Sequence, residues 1–506
     1  MAEPPDKNKK KKRPRRRVRP IAVPLIQIET EPPQPTEQSL RQWIEEGGPG
    51  LLFSMGTHAV VVIVMAWYTY RIISPSAIDS IDVGWTTVAA RESKSLTPVH
   101  IEAFTASTEK TTRPKPQEGD RSGGKKDKPA EREPIRPVNV DNLLKDRTPR
   151  IALQRVTEHG GDERTMRTIN MALGWLKRQQ QSAGHWSLHE GYPNAGLSVI
   201  RTNTGATALA LLPFLGAGHS PTDGEYAEVV ASGITWLKGI QKADGNFHDH
   251  DELGRQTAFY AHAQATIAMC EAYVMSGDAK LQEPAERAIE FLLNSQQPVT
   301  GGWKYRPLDA NSVADLSVTG WALMALHSAR SAGIQVPDEA FQRATLFLES
   351  VSEENGSRYK YEPTDPPDRI SVAMTAEGLL CRQFLGATRS DPALQNGIGF
   401  LTEELNKPSW SSGQRNVYEW YYVGHVLHNA GGPEFTNWYG ETALAIVDNQ
   451  TKSGTTRKGK DARGSWHPEK PIGSPHEYAQ KAGRLYITSL SVLILELPFR
   501  YQSVYE

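Results

Sequence analysis

Cysteine is nearly missing from this chain: Cys270 and Cys381 are the only two in 506 residues. Both sit inside apolar helical patterns, ATIAMCEAYV and AEGLLCRQFL, and read as small buried hydrophobes. Neither a disulfide framework nor a thiolate metal site is predicted. Net charge is also almost absent, at −1. That balance conceals an asymmetry, because Lys7 to Arg19 (KNKKKKRPRRRVR) holds ten basic residues, and subtracting them from −1 leaves −11 for the rest. A mildly acidic bulk argues against nucleic acid as a partner, and the basic run reads as a cytoplasmic membrane flank.

Long hydrophobic runs are scarce too, with one exception. Residues 1–46 are rich in proline and charge and are expected to be a disordered cytoplasmic segment. From Gly47 to Tyr70 (GGPGLLFSMGTHAVVVIVMAWYTY) no Asp, Glu, Lys or Arg occurs, and Trp67, Tyr68 and Tyr70 gather at the far end. Segment 47–72 is therefore expected to be a transmembrane helix, with the bilayer as its partner. The Lys/Arg excess before it predicts a single-pass protein of the cell membrane, N-terminus cytoplasmic and the remainder periplasmic. Residues 73–165 carry Ser, Thr, Pro, Lys and Glu without periodicity and read as a flexible linker.

Beyond the linker one pattern keeps returning. In AERAIEFLLNSQQPVTGGWKYRP, a helix with one apolar face runs into Gln, then Gly, then the aromatic Trp303. Similar stretches end at Trp186, Phe247, Tyr359 with Tyr361, Trp410 and Trp466, spaced by roughly 50 to 60 residues, which signals a repeat architecture. Each is followed by a more apolar helix rich in small residues, such as TAFYAHAQATIAMCEAYVMSG, DLSVTGWALMALHSARSAG and ISVAMTAEGLLCRQFLGA. Pairs of one amphipathic and one apolar helix fit a closed ring, apolar helices inside and amphipathic ones outside. The Gln amide is expected to bond backbone at a helix end, the Gly to permit the turn and the aromatic to fill the gap between helices.

These segments resemble the QW motifs of the prenyltransferase and squalene-hopene cyclase superfamily, over roughly Met166 to Tyr501. QQQSAGHW, QKADGNF and QQPVTGGW are the fullest copies, while the fourth and fifth lack the Gln or the Gly. The resemblance implies an all-α fold, an (α/α)6 toroid of six helical-hairpin repeats over residues 166–506. In the cyclases a protonating Asp lies in a D-x-D-D-T segment at the start of an inner helix. Asp315 to Gly320 (DLSVTG) matches that place, keeping Asp315 and Thr319 but carrying Ser317 and Val318 where acids would stand. Asp315 is thus the candidate catalytic residue. The Asp-x-Cys of the zinc-dependent prenyltransferases is missing, as is the Gly-Cys-Gly-Glu-Gln of the thioester domains that share the toroid.

Other clusters invite chemistry. His248, Asp249, His250 and Asp251 (HDHD) form the densest set of possible metal ligands, or a solvated charged loop. Tyr260, His262, Trp321, Tyr418, Trp420, Tyr421, Tyr422 and His425 fall on the apolar helices and would line a cavity accepting an isoprenoid or lipid, or simply pack as core. Arg484 and Tyr486 stand before an inner helix, where they would hold an anionic head group or cap a loop. Ser54 and His58 lie one turn apart in the membrane segment. Their spacing and the Pro/Lys/Glu linker resemble the anchor of TonB-type energy couplers, which implies motor proteins of the ExbB/ExbD type as partners. No cofactor is indicated. Three functions follow as expectations: a binding module for an apolar or isoprenoid-like ligand or a protein, a divergent terpenoid or prenyl enzyme, and a motor partner.

Overall fold

From Pro149 onward the chain alternates helices that are apolar on one face with helices that are apolar all round. The computed structural model describes residues 147–190, 198, 200–248, 257–307, 313–453 and 462–505, all within one compact unit, Ser122–Glu506. Segments 1–46 and 47–72, with Ser54 and His58, lie outside the described residues, as do Asp249, His250 and Asp251. Among the described residues no helix is long and apolar enough to cross a membrane.

The fold is all-α. In chain order the helices are α1 (Pro149–Glu158), α2 (Glu163–Gln179), α3 (Thr204–Gly216), α4 (Ala227–Ile240), α5 (Thr257–Ser276), α6 (Gln282–Asn294) and α7 (Leu316–Ser331). They continue as α8 (Asp338–Ser350), α9 (Val372–Phe384), α10 (Pro392–Leu401), α11 (Val417–Ala430), α12 (Gly432–Asp448), α13 (Ala479–Leu495) and α14 (Leu497–Arg500). A two-residue hairpin, Ser352–Glu353 against Arg358–Tyr359 in antiparallel register, links α8 to α9.

Burial separates the two kinds of helix. In α2 the buried side chains are Thr165, Thr168, Ile169, Ala172, Leu173, Trp175, Leu176 and Gln179, a stripe of period 3.6 with the opposite face in water. In α3 every residue is buried, and α7 is buried from Leu316 to Leu326. Such a helix needs neighbours on all sides. It finds them because α3, α5, α7, α9, α11 and α13 pack each on the next, and α13 packs back on α3, closing an inner ring. The amphipathic helices α2, α4, α6, α8, α10 and α12 lie outside, most of them seated over the seam between two inner helices.

Helix starts are fixed locally. Asp162 caps α2 through the Arg164 and Thr165 amides, Asp315 caps α7 through Val318, Ser371 caps α9 through Met374, and Asn416 caps α11 through Glu419. The stretch read as linker ends in folded structure: α1 begins inside it and packs on α14, burying Ala152 and Val156.

The repeated Gln-Gly-aromatic segment ties the outer helices together. Gln180 Nε2 donates to the Gly184 and Val229 carbonyls (2.8 and 2.9 Å), Gln241 to those of Gly245 and Pro284 (3.1 and 2.8 Å), and Gln296 to those of Gly301 and Ala340 (2.7 and 2.8 Å). In each case one bond closes its own loop and the other reaches the first turns of the next outer helix. Gln450 bonds Gly464 (3.0 Å) and then Thr168 on α2 (2.9 Å), so the last copy returns to the first helix of the ring. The Gly is obligatory at Gly301, whose φ is +79° and whose added Cβ would lie 1.9 Å from the Arg343 carbonyl of the neighbouring helix. The aromatic is anchored as well: indole N–H groups of Trp186, Trp303 and Trp466 donate to Leu176, Leu292 and Ile446 carbonyls (2.7, 2.8 and 2.8 Å).

Candidate functional site

Because hairpins run outward-inward in the same sense, the N-termini of the inner helices meet at one end of the ring and their C-termini at the other. At the N-terminal end the polar side chains converge. Asp315, fully buried as the cap of α7, accepts from the Val318 amide (2.8 Å) and the Ser317 hydroxyl (2.7 Å), and its second oxygen lies 3.1 Å from Lys304 Nζ. Lys304 also meets Glu362 at 2.5 Å and stands over the rings of Tyr305 and Tyr361, 4.8 and 5.3 Å from their centroids. Tyr305 and Tyr361 are hydrogen bonded through their hydroxyls, and Tyr260 Oη is 2.5 Å from Ser317 Oγ.

One turn into α9 stands a second carboxyl. Glu377 is fully buried, and the Tyr418 hydroxyl donates to its Oε2 at 3.2 Å. Tyr422 faces it from the same helix as Tyr418, and Gly320 leaves room for it: a Cβ there would lie 2.6 Å from Glu377 Oε1. The two acids live in different fields. Burial pushes the Asp315 carboxyl up, but Lys304 and the cap donors pull against that. Glu377 has no cation; burial drives it well above the ordinary value of 4.5, and the nearby Asp315 charge adds to the rise. Its environment therefore favours the protonated carboxylic acid over the carboxylate. The Tyr260 and Tyr418 phenols are likewise held un-ionised by burial.

The aromatic candidates divide. Trp321 stacks on Tyr421 (5.7 Å) and meets Tyr422 edge-on (6.3 Å), while Tyr418 packs on Tyr422 (5.1 Å) and Tyr421 on His425 (4.6 Å), all inside the ring. Tyr486 joins this end through Glu377 and Glu477. Trp420 instead packs on Trp410 (5.9 Å), in the loop before α11. His262 is also engaged elsewhere. Its Nε2 donates to the Ala288 carbonyl (3.0 Å) and its Nδ1 accepts from Phe247 N–H (3.4 Å). That second bond has the place held by threonine hydroxyls in other copies, since the Trp186, Trp303, Tyr359 and Trp466 amides donate to Thr207, Thr319, Thr375 and Thr488. His262 and Thr319 thus work in the inter-helix staple. Arg484 donates to Ser465 Oγ (3.0 Å), beside the last copy. The His248 amide bonds Asn246 Oδ1 (2.8 Å), and among the described residues no group of three or more His, Cys, Asp or Glu is placed to hold a metal.

Sequence reasoning missed Glu377 and Lys304. The signal was present for the first: a lone acid in ISVAMTAEGLLCRQFLGA, a helix with no polar face to carry it to water. For Lys304 there was none, since a lysine after a loop aromatic is ordinarily solvated.

No family model matches the sequence, and no curated protein matches it. Solved structures similar in shape include an inactive variant of an α-1,6-mannanase of Salegentibacter sp. HEL1_6 with α-1,6-mannotriose, at 11% identity and TM-score 0.43, covering 66% of this chain and 98% of that one. An α-amylase from Clostridium perfringens has 12% identity, TM-score 0.43 and coverage of 65% and 97%. The type II terpene cyclase MstE from Scytonema, without ligand, has 14% identity, TM-score 0.42 and coverage of 66% and 97%. Likenesses this distant assign neither family nor chemistry, and the ring stands on the packing of its own helices.

Proposed function

We propose that this chain is a membrane-anchored, extracytoplasmic binding module, a ring of six helical hairpins that takes an apolar ligand of isoprenoid or other lipid type at the N-terminal end of its inner helices. The observation that carries the reading is Glu377: a fully buried carboxyl bonded by the Tyr418 phenol and pushed well above the ordinary carboxylate range by burial, so that aromatic faces and phenol hydroxyls meet an incoming ligand. A neutral, aromatic-walled end favours a long uncharged molecule and disfavours a phosphate or a sugar acid. The anchor itself is proposed from the uncharged 47–72 segment.

The test is lipid mass spectrometry on the full-length protein purified from membranes in mild detergent. A stoichiometric apolar ligand is expected, and it should be lost from Tyr418→Glu, which adds charge where the ligand would lie. Recovery of the same bulk lipids from protein and variant alike would overturn the reading. A second reading, an acid catalyst of terpenoid or prenyl chemistry, is favoured by the proximity of Glu377, whose pKa burial raises, to an Asp315 already compensated by Lys304, the pairing of unlike carboxyls that acid–base chemistry uses. Glu377→Gln separates the two. The amide keeps shape and hydrogen bonding but cannot protonate, so a catalyst would accumulate unreacted precursor, whereas a binding module would hold the same ligand as before. The motor partner proposed from Ser54 and His58 is tested by His58→Ala, which should abolish co-purification of motor subunits.

A further inference from the structure

The hydrogen bonds at the acid end have a fixed direction. Asp315 meets donors only: the Val318 amide (2.8 Å), the Lys304 ammonium (3.1 Å) and the Ser317 hydroxyl (2.7 Å). An amide N–H and an ammonium cannot accept, so the carboxylate accepts from both, and the Ser317 proton points at it as well. A serine hydroxyl has one proton to give. With that proton spent on Asp315, Ser317 Oγ faces Tyr260 Oη at 2.5 Å as an acceptor, and the phenol is the donor. The bonds therefore run from Tyr260 to Ser317 to Asp315, with the Lys304 charge holding the far end.

Tyr260 is the accessible end of this row. Asp315 and Ser317 are 0% and 4% exposed, whereas Tyr260 is only half-buried. Its ring lies 6.1 Å from that of Tyr305, which is bonded in turn to Tyr361, so the phenol belongs to an aromatic wall. Its one proton is committed inward, and among the described residues no other group bonds its oxygen. What the oxygen has left for a ligand is a lone pair. A partner must therefore bring the proton. Ethers, esters, ketones and quinones only accept, and would set oxygen against oxygen; among uncharged lipids the group that donates is a hydroxyl.

We propose that the molecule taken at this end is a long-chain or isoprenoid alcohol, whose hydroxyl donates to Tyr260 Oη while its hydrocarbon lies along the tyrosine faces. This rests on the reading of the acid end as a site for an uncharged lipid and adds the head group. Ser317 is a positioning residue, acting through Tyr260 by deciding which way the phenol proton points.

Farnesol and farnesyl methyl ether serve as probes, titrated by native mass spectrometry into the full-length protein in mild detergent and corrected for their partition into empty micelles. The wild type should prefer the alcohol by about tenfold, the worth of one hydrogen bond. Tyr260→Phe keeps the ring and removes the acceptor, and should bring the two probes to the same affinity. Ser317→Ala frees the phenol proton to be donated outward, and should tighten the ether by about threefold or more, a gain that damage to the fold would not produce. Equal affinities in the wild type, a preference that survives Tyr260→Phe, or no gain for the ether in Ser317→Ala would overturn the proposal and leave the lipid site standing. Failure of both probes to bind would remove the lipid site itself, and the proposal with it.

Discussion

At the scale of the residue, the decisive feature is that Asp315 and Glu377 share one end of the ring in opposite states of compensation. Asp315 has a lysine at 3.1 Å and two cap donors; Glu377 has phenols. In the folded chain Glu377 keeps its proton above the ordinary glutamate value of 4.5, while in the unfolded chain it loses it. Folding then takes up a proton, so stability is fully present below pH 4.5 and falls as pH rises toward the folded-state value, by about 1.4 kcal/mol per unit between the two. Glu377→Gln removes that dependence. Thermal melts should show the variant gaining on the wild type as pH rises above 4.5, until the folded-state value is passed; a constant difference from pH 4.5 upward would mean that Glu377 is ionised in the folded protein. In the sequence Asp315 stood out through its resemblance to a cyclase motif, whereas Glu377 was passed over because the pattern of an apolar helix hides its one exception.

At the scale of the element, the Gln-Gly-aromatic segment behaves as an inter-helix clamp. Gly301 and Gly333 have similar φ values, +79° and +73°, but an added Cβ meets the Arg343 carbonyl at 1.9 Å in the first and nothing within 4 Å in the second. Substituting Ala at Gly333 should cost only left-handed strain, about 1–2 kcal/mol. At Gly301 the same strain is joined by displacement of α8, so Gly301→Ala should cost at least about 1 kcal/mol more in urea unfolding. Gln296→Ala should cost about 1–3 kcal/mol, since it leaves the buried carbonyls of Gly301 and Ala340 without their amide. The clamp was legible in the spacing. Its second bond, to the next helix, was not, because a repeat shows its own period and not which neighbour it touches.

At the scale of the whole molecule, both ends of the described chain are locked to the ring by one buried ion network. Arg147 donates to the Arg500 carbonyl (3.0 and 2.7 Å) and to the Leu215 carbonyl (2.9 Å), and Arg500 holds Glu271 near the C-terminal end of α5. Glu271→Ala would leave the Arg147 guanidinium buried without a carboxylate and Arg500 with only Glu496 (3.4 Å), and about 3–5 kcal/mol of stability should be lost in chemical denaturation. Glu271→Gln, still an acceptor for Tyr501, should lose less. The network also explains why Arg147 is buried although it sits in a stretch composed like a linker: composition measures average solubility, while a single arginine with three oxygen acceptors and the Met275 sulfur in reach is held by geometry.

The sequence by itself determined the all-α ring, because helical period, helix polarity and a repeated clamp are written locally, residue by residue. It also determined that an acid of the cyclase type is missing from its usual place, since that is a matter of which letters stand where. Only the tertiary structure decided which polar residues meet. Tyr260, Ser317, Glu377 and Tyr418 come from four different helices and converge only when the ring closes. His262, which shares the apolar-helix pattern of the cavity aromatics, is turned toward the outer layer, where it bonds the Ala288 carbonyl of α6. The physical reason is the same in both cases: ionisation and hydrogen bonding depend on distances of about 3 Å and on exclusion of water, and neither is set until distant segments are packed.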